Sequence, residues 1–297
     1  MLKIRQVYYV VVSNFRRWHK NPQIILCFFL GFIFCFLLSD KVMRFATSHD
    51  TYLQGLESFI WTFGDAQSIL SISLLLLLLF ADMPNLSNDV PFFMIRTKRS
   101  VWLLGQIIYL ICATFIFVVF ILISTIILSA TKSYPANIWS ETAAILGYSG
   151  IGQNIAIPSF VKVMELTYPY QCTVHIFLLV TGYSLAMSSI ILFLNLCKNN
   201  LGMIGGVLFS GFGIILNPNM VAELFSISFD RIRYANIIFG WLSPLNHATY
   251  YMHNFGYDNL PKLWMSYLFF TLFSLIFFVM SFLRIKKYTF DFTGTQN

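Results

Sequence analysis

Long apolar runs separated by short polar stretches set the pattern of this chain. A crossing helix needs about 20 apolar residues to pass roughly 30 Å of hydrocarbon. Runs of that kind predict spans over 22–39, 58–80, 101–130, 172–197, 201–216 and 263–283. The third would measure about 45 Å as one helix, which predicts tilt or a protruding end. The fifth is short and rich in glycine. Its Gly202 and Gly206 have the GxxxG spacing that lets another helix approach closely.

The stretch before the first span reads differently. Ile4, Val7, Tyr8, Val11, Val12, Phe15 and Trp18 recur at spacings of three and four, with Lys3, Arg5, Arg16, Arg17 and Lys20 filling the remainder. This predicts an amphipathic helix lying flat among lipid headgroups. Asn21-Pro22 then turns the chain into the membrane. Two units result: residues 1–21 as an interfacial helix and 22–297 as a six-helix transmembrane domain. Residues 40–57 read as a polar outer loop. The longest connection, 131–171, reads as a folded outer segment or a partial re-entry. Within 217–262, two short helices at about 235–242 and 247–253 are expected to dip into the membrane from outside without crossing. The fold class is therefore all-α: a polytopic membrane protein with re-entrant outer helices before the last span.

Composition agrees with this pattern. Apolar types make up 58% of the 297 residues and charged types 10%, against about 25% charged in a soluble domain. The net charge of +7 does not point to nucleic acid, because the bases sit in short clusters beside apolar runs. One side collects Lys3, Arg5, Arg16, Arg17, Lys20, Arg96, Lys98, Arg99, Lys198, Arg284, Lys286 and Lys287. The other collects Lys41, Arg44, Lys132, Lys162, Arg231, Arg233 and Lys262. The positive-inside bias places the first group, and both termini, in the cytoplasm of a cell with the chain in its plasma membrane. No small-residue cleavage site follows the first apolar run, so that run is expected to stay as a helix. The five cysteines form no CxxC pair, which leaves zinc and redox motifs without support.

Candidate chemistry is sparse. No GxxxxGK[ST] phosphate loop occurs, so active transport would need ATP and Mg on another chain, or an ion gradient. Pro84, Asn85, Asp89, Pro91, Arg96, Lys98 and Arg99 mark the stretch 81–100 between the second and third spans. It reads as a short lever parallel to the membrane that docks in a cytoplasmic partner, or as a loop whose bases hold lipid phosphate. Asp65, beside Gln67, is the main ionisable residue inside a predicted span. It faces a substrate path, couples protons, or pairs with Arg44 or another base at the outer interface. His247 and His253 lie six apart, which on one helix points them to different sides. No residues have metal-ligand spacing, and no GxSxG elbow or other catalytic set occurs.

With its elements in this order, the chain resembles the membrane subunits of type 2 ABC exporters. The likeness lies in three places: the helix ending at Trp18 and Asn21-Pro22, the stretch Phe92-Phe93-Met94-Ile95-Arg96-Thr97-Lys98-Arg99-Ser100 entering Val101-Trp102-Leu103-Leu104-Gly105-Gln106, and Ser243-Pro244-Leu245 before the last span. It covers the whole chain and is one of layout. The 131–171 connection is longer than the family usually has. The resemblance implies no ATPase site on this chain. It implies two cytoplasmic ABC ATPases as partners, a second copy or a related permease subunit, and 84–99 as the coupling segment. Phe59, Trp61, Phe63 and Phe80 would then line a route for amphipathic cargo. An ion-coupled carrier or channel without ATPases is the alternative, and a membrane-embedded enzyme a third.

Overall fold

The computed structural model describes residues 2–84, 95, 97–149, 160–198, 201–226, 232–256 and 258–288. The described residues are mostly helical. Its helices are α1 (Leu2–Arg16), α2 (Pro22–Ser48), α3 (Glu57–Phe63), α4 (Ala66–Phe80), α5 (Arg99–Ser129), α6 (Glu141–Tyr148), α7 (Phe160–Leu166) and α8 (Pro169–Cys197). There follow α9 (Leu201–Ile215), α10 (Pro218–Leu224), α11 (Ile232–Leu242), α12 (Pro244–Ala248) and α13 (Leu263–Arg284). Two short strands, β1 (Leu53–Gln54) and β2 (Ser133–Tyr134), pair in parallel.

Among the described residues, four helices are long and apolar enough to cross a membrane: α2, α5, α8 and α13. Two bent pairs, α3 with α4 and α9 with α10, bring the number to six if each counts as one span. Helices of this length and composition make the chain a membrane protein, because lipid accepts only backbone that is hydrogen-bonded within itself. Proline at the first helical position starts four of the helices. Asn21 and Asn217 cap α2 and α10, and Ser243 caps α12, each accepting from a backbone N–H of the first turn. Pro169 opens α8.

The axis of the bundle is α8. The apolar window of α8 is 72% buried, against 22% in α13 and 28% in α2, so the other long helices surround it. It packs against α13, α9, α5, α3, α4 and α12. Where α8 meets α13, Gly182 faces the ring of Phe270. Gly202 and Gly206 bring α9 close to Ile191 of α8, and Gly206 also to Leu77 of α4. The GxxxG spacing thus serves packing inside the chain.

Two expectations from the sequence need correction. The helix that begins at Pro22 does not stop at 39, where a loop was expected. The helix runs on to Ser48 through Asp40, Lys41 and Arg44, so most of the expected 40–57 loop is helical. An i,i+4 ion pair between Asp40 and Arg44, at 2.7 Å, suits a helix that emerges from lipid. The second span is broken rather than continuous: α3 and α4 meet at 84°. Asp65 is extended (φ −94°, ψ 141°) and stops the helix directly after Gly64. The face of α1 that packs inside the chain is not centred on its apolar stripe. Val7, Val10 and Asn14 are buried, while Ile4 and Tyr8 remain exposed.

The buried face of α1 lies on the first turns of α5. Val10 sits over Gly105, Asn14 Nδ2 donates to Gln106 Oε1 at 3.0 Å, and Trp18 Nε1 donates to Tyr109 OH at 2.8 Å. A Cβ at position 105 would stand 2.7 Å from Val10 Cβ. Gly105→Leu is therefore expected to lift α1 from α5 at a cost of about 1–3 kcal/mol. Faster proteolytic release of the first 20 residues, with the remaining bundle intact, is the result to look for. Unchanged cleavage would contradict this contact.

Candidate functional site

The two ends of the bundle differ in charge. One end gathers Lys3, Arg5, Arg16, Arg17, Lys20, Lys98, Arg99, Lys198, Arg284, Lys286 and Lys287. Among the described residues only Asp82 opposes them there. The far end is mixed, with Asp40, Asp50, Glu57, Asp65, Glu141, Glu165, Glu223 and Asp258 beside Lys41, Arg44, Lys132, Lys162, Arg233 and Lys262.

At the basic end the chain leaves α4 and returns through α5. Of the residues expected to form the lever, Pro84 is buried and Lys98 and Arg99 are exposed. Asn85, Asp89, Pro91 and Arg96 lie outside the described residues. Both flanks of the stretch are fastened. Asn195, in the last turn of α8 and only 5% exposed, uses its whole amide. Its Nδ2 donates to Ala81 O at 2.9 Å and to Met83 O at 2.6 Å, and its Oδ1 accepts from Gly202 N at 2.8 Å. One side chain thereby joins the end of α4, the end of α8 and the start of α9. On the return side, Arg99 Nη1 donates to Lys286 O (3.2 Å) and Tyr288 O (3.0 Å), tying the start of α5 to the chain after α13.

A third clasp completes this rim. Arg284 donates to Leu196 O (3.3 Å) and Cys197 O (3.2 Å), where the last carbonyls of α8 lack helical partners. Its positive charge also suits the negative end of that helix. Side-chain contacts at the two flanks thus connect the ends of α4, α5, α8 and α9 with the chain at and after the end of α13.

The candidate path residues fall at the other end. Asp65 heads α4 half-buried, and its Oδ1 accepts from Tyr251 OH at 3.3 Å. Arg44 does not pair with it, being held by Asp40 on its own helix. Gln67 is exposed. Phe59 and Phe63 pack on each other with ring centroids 5.3 Å apart, both buried in the core together with Trp61 and Phe80. The bundle therefore brings Asp65 to Tyr251 but does not bring Phe59, Phe63 and Gln67 to one surface.

Sequence reasoning missed Glu57, which it left at the edge of a polar loop. It is fully buried. Its Oε1 accepts from Ser140 N at 2.7 Å, and its Oε2 from Ser140 Oγ and from Gln54 N at 3.1 Å. Around it, Gln54 Nε2 donates to Ala136 O, Gly55 N donates to Tyr134 O, and Thr142 Oγ1 lies 2.7 Å from Thr51 Oγ1. Residues 134–142 of the 131–171 connection are thus folded onto the loop after α2. Trp139 closes it by donating to Thr167 O.

The expectation that His247 and His253 diverge also fails. α12 ends at Ala248, and Thr249 is extended (φ −87°, ψ 114°), so the two residues do not share a helix. Both reach Ser266 of α13. Among the described residues no group of three or more His, Cys, Asp or Glu is placed to hold a metal.

Comparison with family models, with curated proteins and with solved structures finds no match to this chain.

Proposed function

We propose that the chain is the membrane-spanning permease subunit of a type 2 ABC exporter, carrying an amphipathic cargo such as a peptide, antibiotic or lipid-like molecule out of the cytoplasm. In this reading the basic end faces the cytoplasm of a bacterial cell, six spans cross its plasma membrane, and α11 and α12 are the re-entrant helices. Two ABC ATPases dock at residues 84–99, and a second copy or a related subunit completes the transporter. ATP and Mg act on the ATPases, and this chain has no hydrolytic role. One observation carries the reading. The 84–99 stretch is anchored at both flanks, by Asn195 and Arg99, to the ends of the helices that would have to move. A push from nucleotide-driven closure would then rock those helices between inward and outward openings.

A second reading, an ion-coupled carrier without ATPases, draws on Asp65 and its Tyr251 partner. Purification of the full chain in detergent with candidate ABC ATPases, followed by reconstitution into liposomes, separates the two. The expected outcome is co-elution, ATPase activity stimulated by cargo, and no cargo movement without ATP. Gradient-driven transport by the chain alone would overturn the exporter reading. In the same assay Asp65→Asn is expected to slow transport about tenfold, the scale of one hydrogen bond to a charged group, while ATPase activity persists.

A further inference from the structure

A buried triangle of side chains joins the turn after α12 to the head of α13. His247 is 4% exposed, His253 2% and Ser266 not at all, so bulk water does not complete their hydrogen bonds. His247 Nε2 lies 3.0 Å from Trp241 O, and His253 Nδ1 lies 2.9 Å from Tyr250 O. A carbonyl oxygen only accepts, so each of these nitrogens carries a hydrogen. A neutral imidazole has one N–H. The remaining nitrogens, His247 Nδ1 and His253 Nε2, are then bare acceptors. Both lie 2.8 Å from Ser266 Oγ.

The hydrogens do not balance. A serine hydroxyl has one hydrogen and can satisfy one of those two nitrogens. The other faces an oxygen lone pair at hydrogen-bonding distance. One added proton removes the conflict. The imidazolium donates to Ser266 Oγ, Ser266 donates to the other imidazole, and both outer bonds to carbonyls remain. A second proton would place two positive charges on one buried oxygen. We infer that His247, Ser266 and His253 form a binding site for a single proton, held in common by the two imidazoles.

The surroundings leave the charge local. Groups that face the site are His175 and Cys172 of α8, Tyr267 of α13, Tyr250 and Tyr251 of the same turn, and Asp65 at the head of α4, reached through Tyr251. His175 Nδ1 is engaged with Tyr267 OH at 2.8 Å and its ring stacks on Tyr250. The face of His247 is stacked on Phe269. Burial lowers the affinity of both imidazoles for a proton, taking His253 to about 4, while the backbone of Trp241 at His247, and of Tyr250 and Thr249 at His253, favours uptake. Occupancy therefore changes on the acid side of neutrality. The site stands on its own geometry and does not depend on the exporter reading.

The test is NMR of the full chain in lipid nanodiscs, with histidine ring nitrogens labelled, from pH 8 to pH 4. The expected result is one step in which His247 and His253 change together and bind one proton in total. Ser266→Ala is expected to move that step down by about one to two pH units, the scale of a hydrogen bond to a charged group. Ser266→Thr keeps the hydroxyl and should keep the wild-type step. Should Ser266→Ala not fold, His253→Phe decides the matter. With one imidazole the serine hydrogen suffices, so His247 stays neutral to pH 4. Two independent steps, no uptake above pH 4 in the wild type, or an unchanged step in Ser266→Ala would each overturn the inference.

Discussion

Glu57→Ala is expected to detach the 133–141 stretch from the bundle with a large loss of stability. The change removes the acceptor for Ser140 N, Ser140 Oγ and Gln54 N in a site without solvent. A buried donor left without a partner costs about 1–3 kcal/mol. Three such donors bring the expected loss to about 3 kcal/mol or more. Ser140 would also lose the orientation in which its Oγ caps α6 by accepting from Ala143 N at 3.0 Å. Glu57→Gln should fall between wild type and alanine. It keeps one oxygen for Ser140 N but turns an NH2 toward Gln54 N. Thermal unfolding in detergent and the rate of proteolysis between β2 and α6 would measure this. A melting temperature within a degree or so of wild type for the alanine variant, on the scale that roughly 1 kcal/mol shifts by several degrees, would refute the assignment.

Asn195→Leu is expected to act at the opposite end with comparable force and a different readout. Leucine shares the branching of asparagine at Cγ, is somewhat larger, and leaves Ala81 O, Met83 O and Gly202 N without their partner. At roughly 1–3 kcal/mol for each stranded group, the rim should open between α4 and α8. Asn195→Asp should be no better, since it keeps an acceptor for Gly202 N but sets carboxylate oxygens against two carbonyls. In the exporter reading both variants uncouple. ATPase partners still bind and hydrolyse, and cargo no longer moves. Intact transport in Asn195→Leu would remove the anchoring role. Gly202 is the natural companion site, because a Cβ there would stand 2.5 Å from both Asn195 Oδ1 and Ile191 O.

The long helices were legible because lipid imposes a length and an apolar composition that few other structures share. The third, fourth and last spans begin and end within about three residues of where the runs place them. The break between α3 and α4 was not legible in the same way. Apolar residues continue on both sides of Gly64-Asp65, and a count of hydrophobicity cannot see a turn of the axis. Polar helix beyond lipid was equally hidden, since Asp40 and Arg44 read as loop until their i,i+4 spacing is considered.

The sites were less legible than the spans, for one physical reason. A buried polar residue is defined by its partner, and the partners are remote. Glu57 meets Ser140, 83 residues away, and Asn195 meets Ala81, 114 away. Neither is part of a local motif. Asn195 sits in a run that reads as span, and Glu57 among residues that read as loop. The two histidines were misjudged through one assumption, that 247–253 is a single helix. Thr249 breaks it and turns divergence into convergence.

The two bent pairs carry a consequence for the bilayer itself. α4 and α9 are each 15 residues, or about 22 Å, against a hydrocarbon layer of about 30 Å. They are also neighbours, joined where Ser73 Oγ donates to Ser210 Oγ at 3.1 Å. Their continuations, α3 and α10, turn sideways at 84° and 89° instead of carrying the crossing further. In the six-span reading of the proposed exporter, lipid beside this seam has to thin to match the short pair, since hydrophobic mismatch is relieved by local thinning of the bilayer.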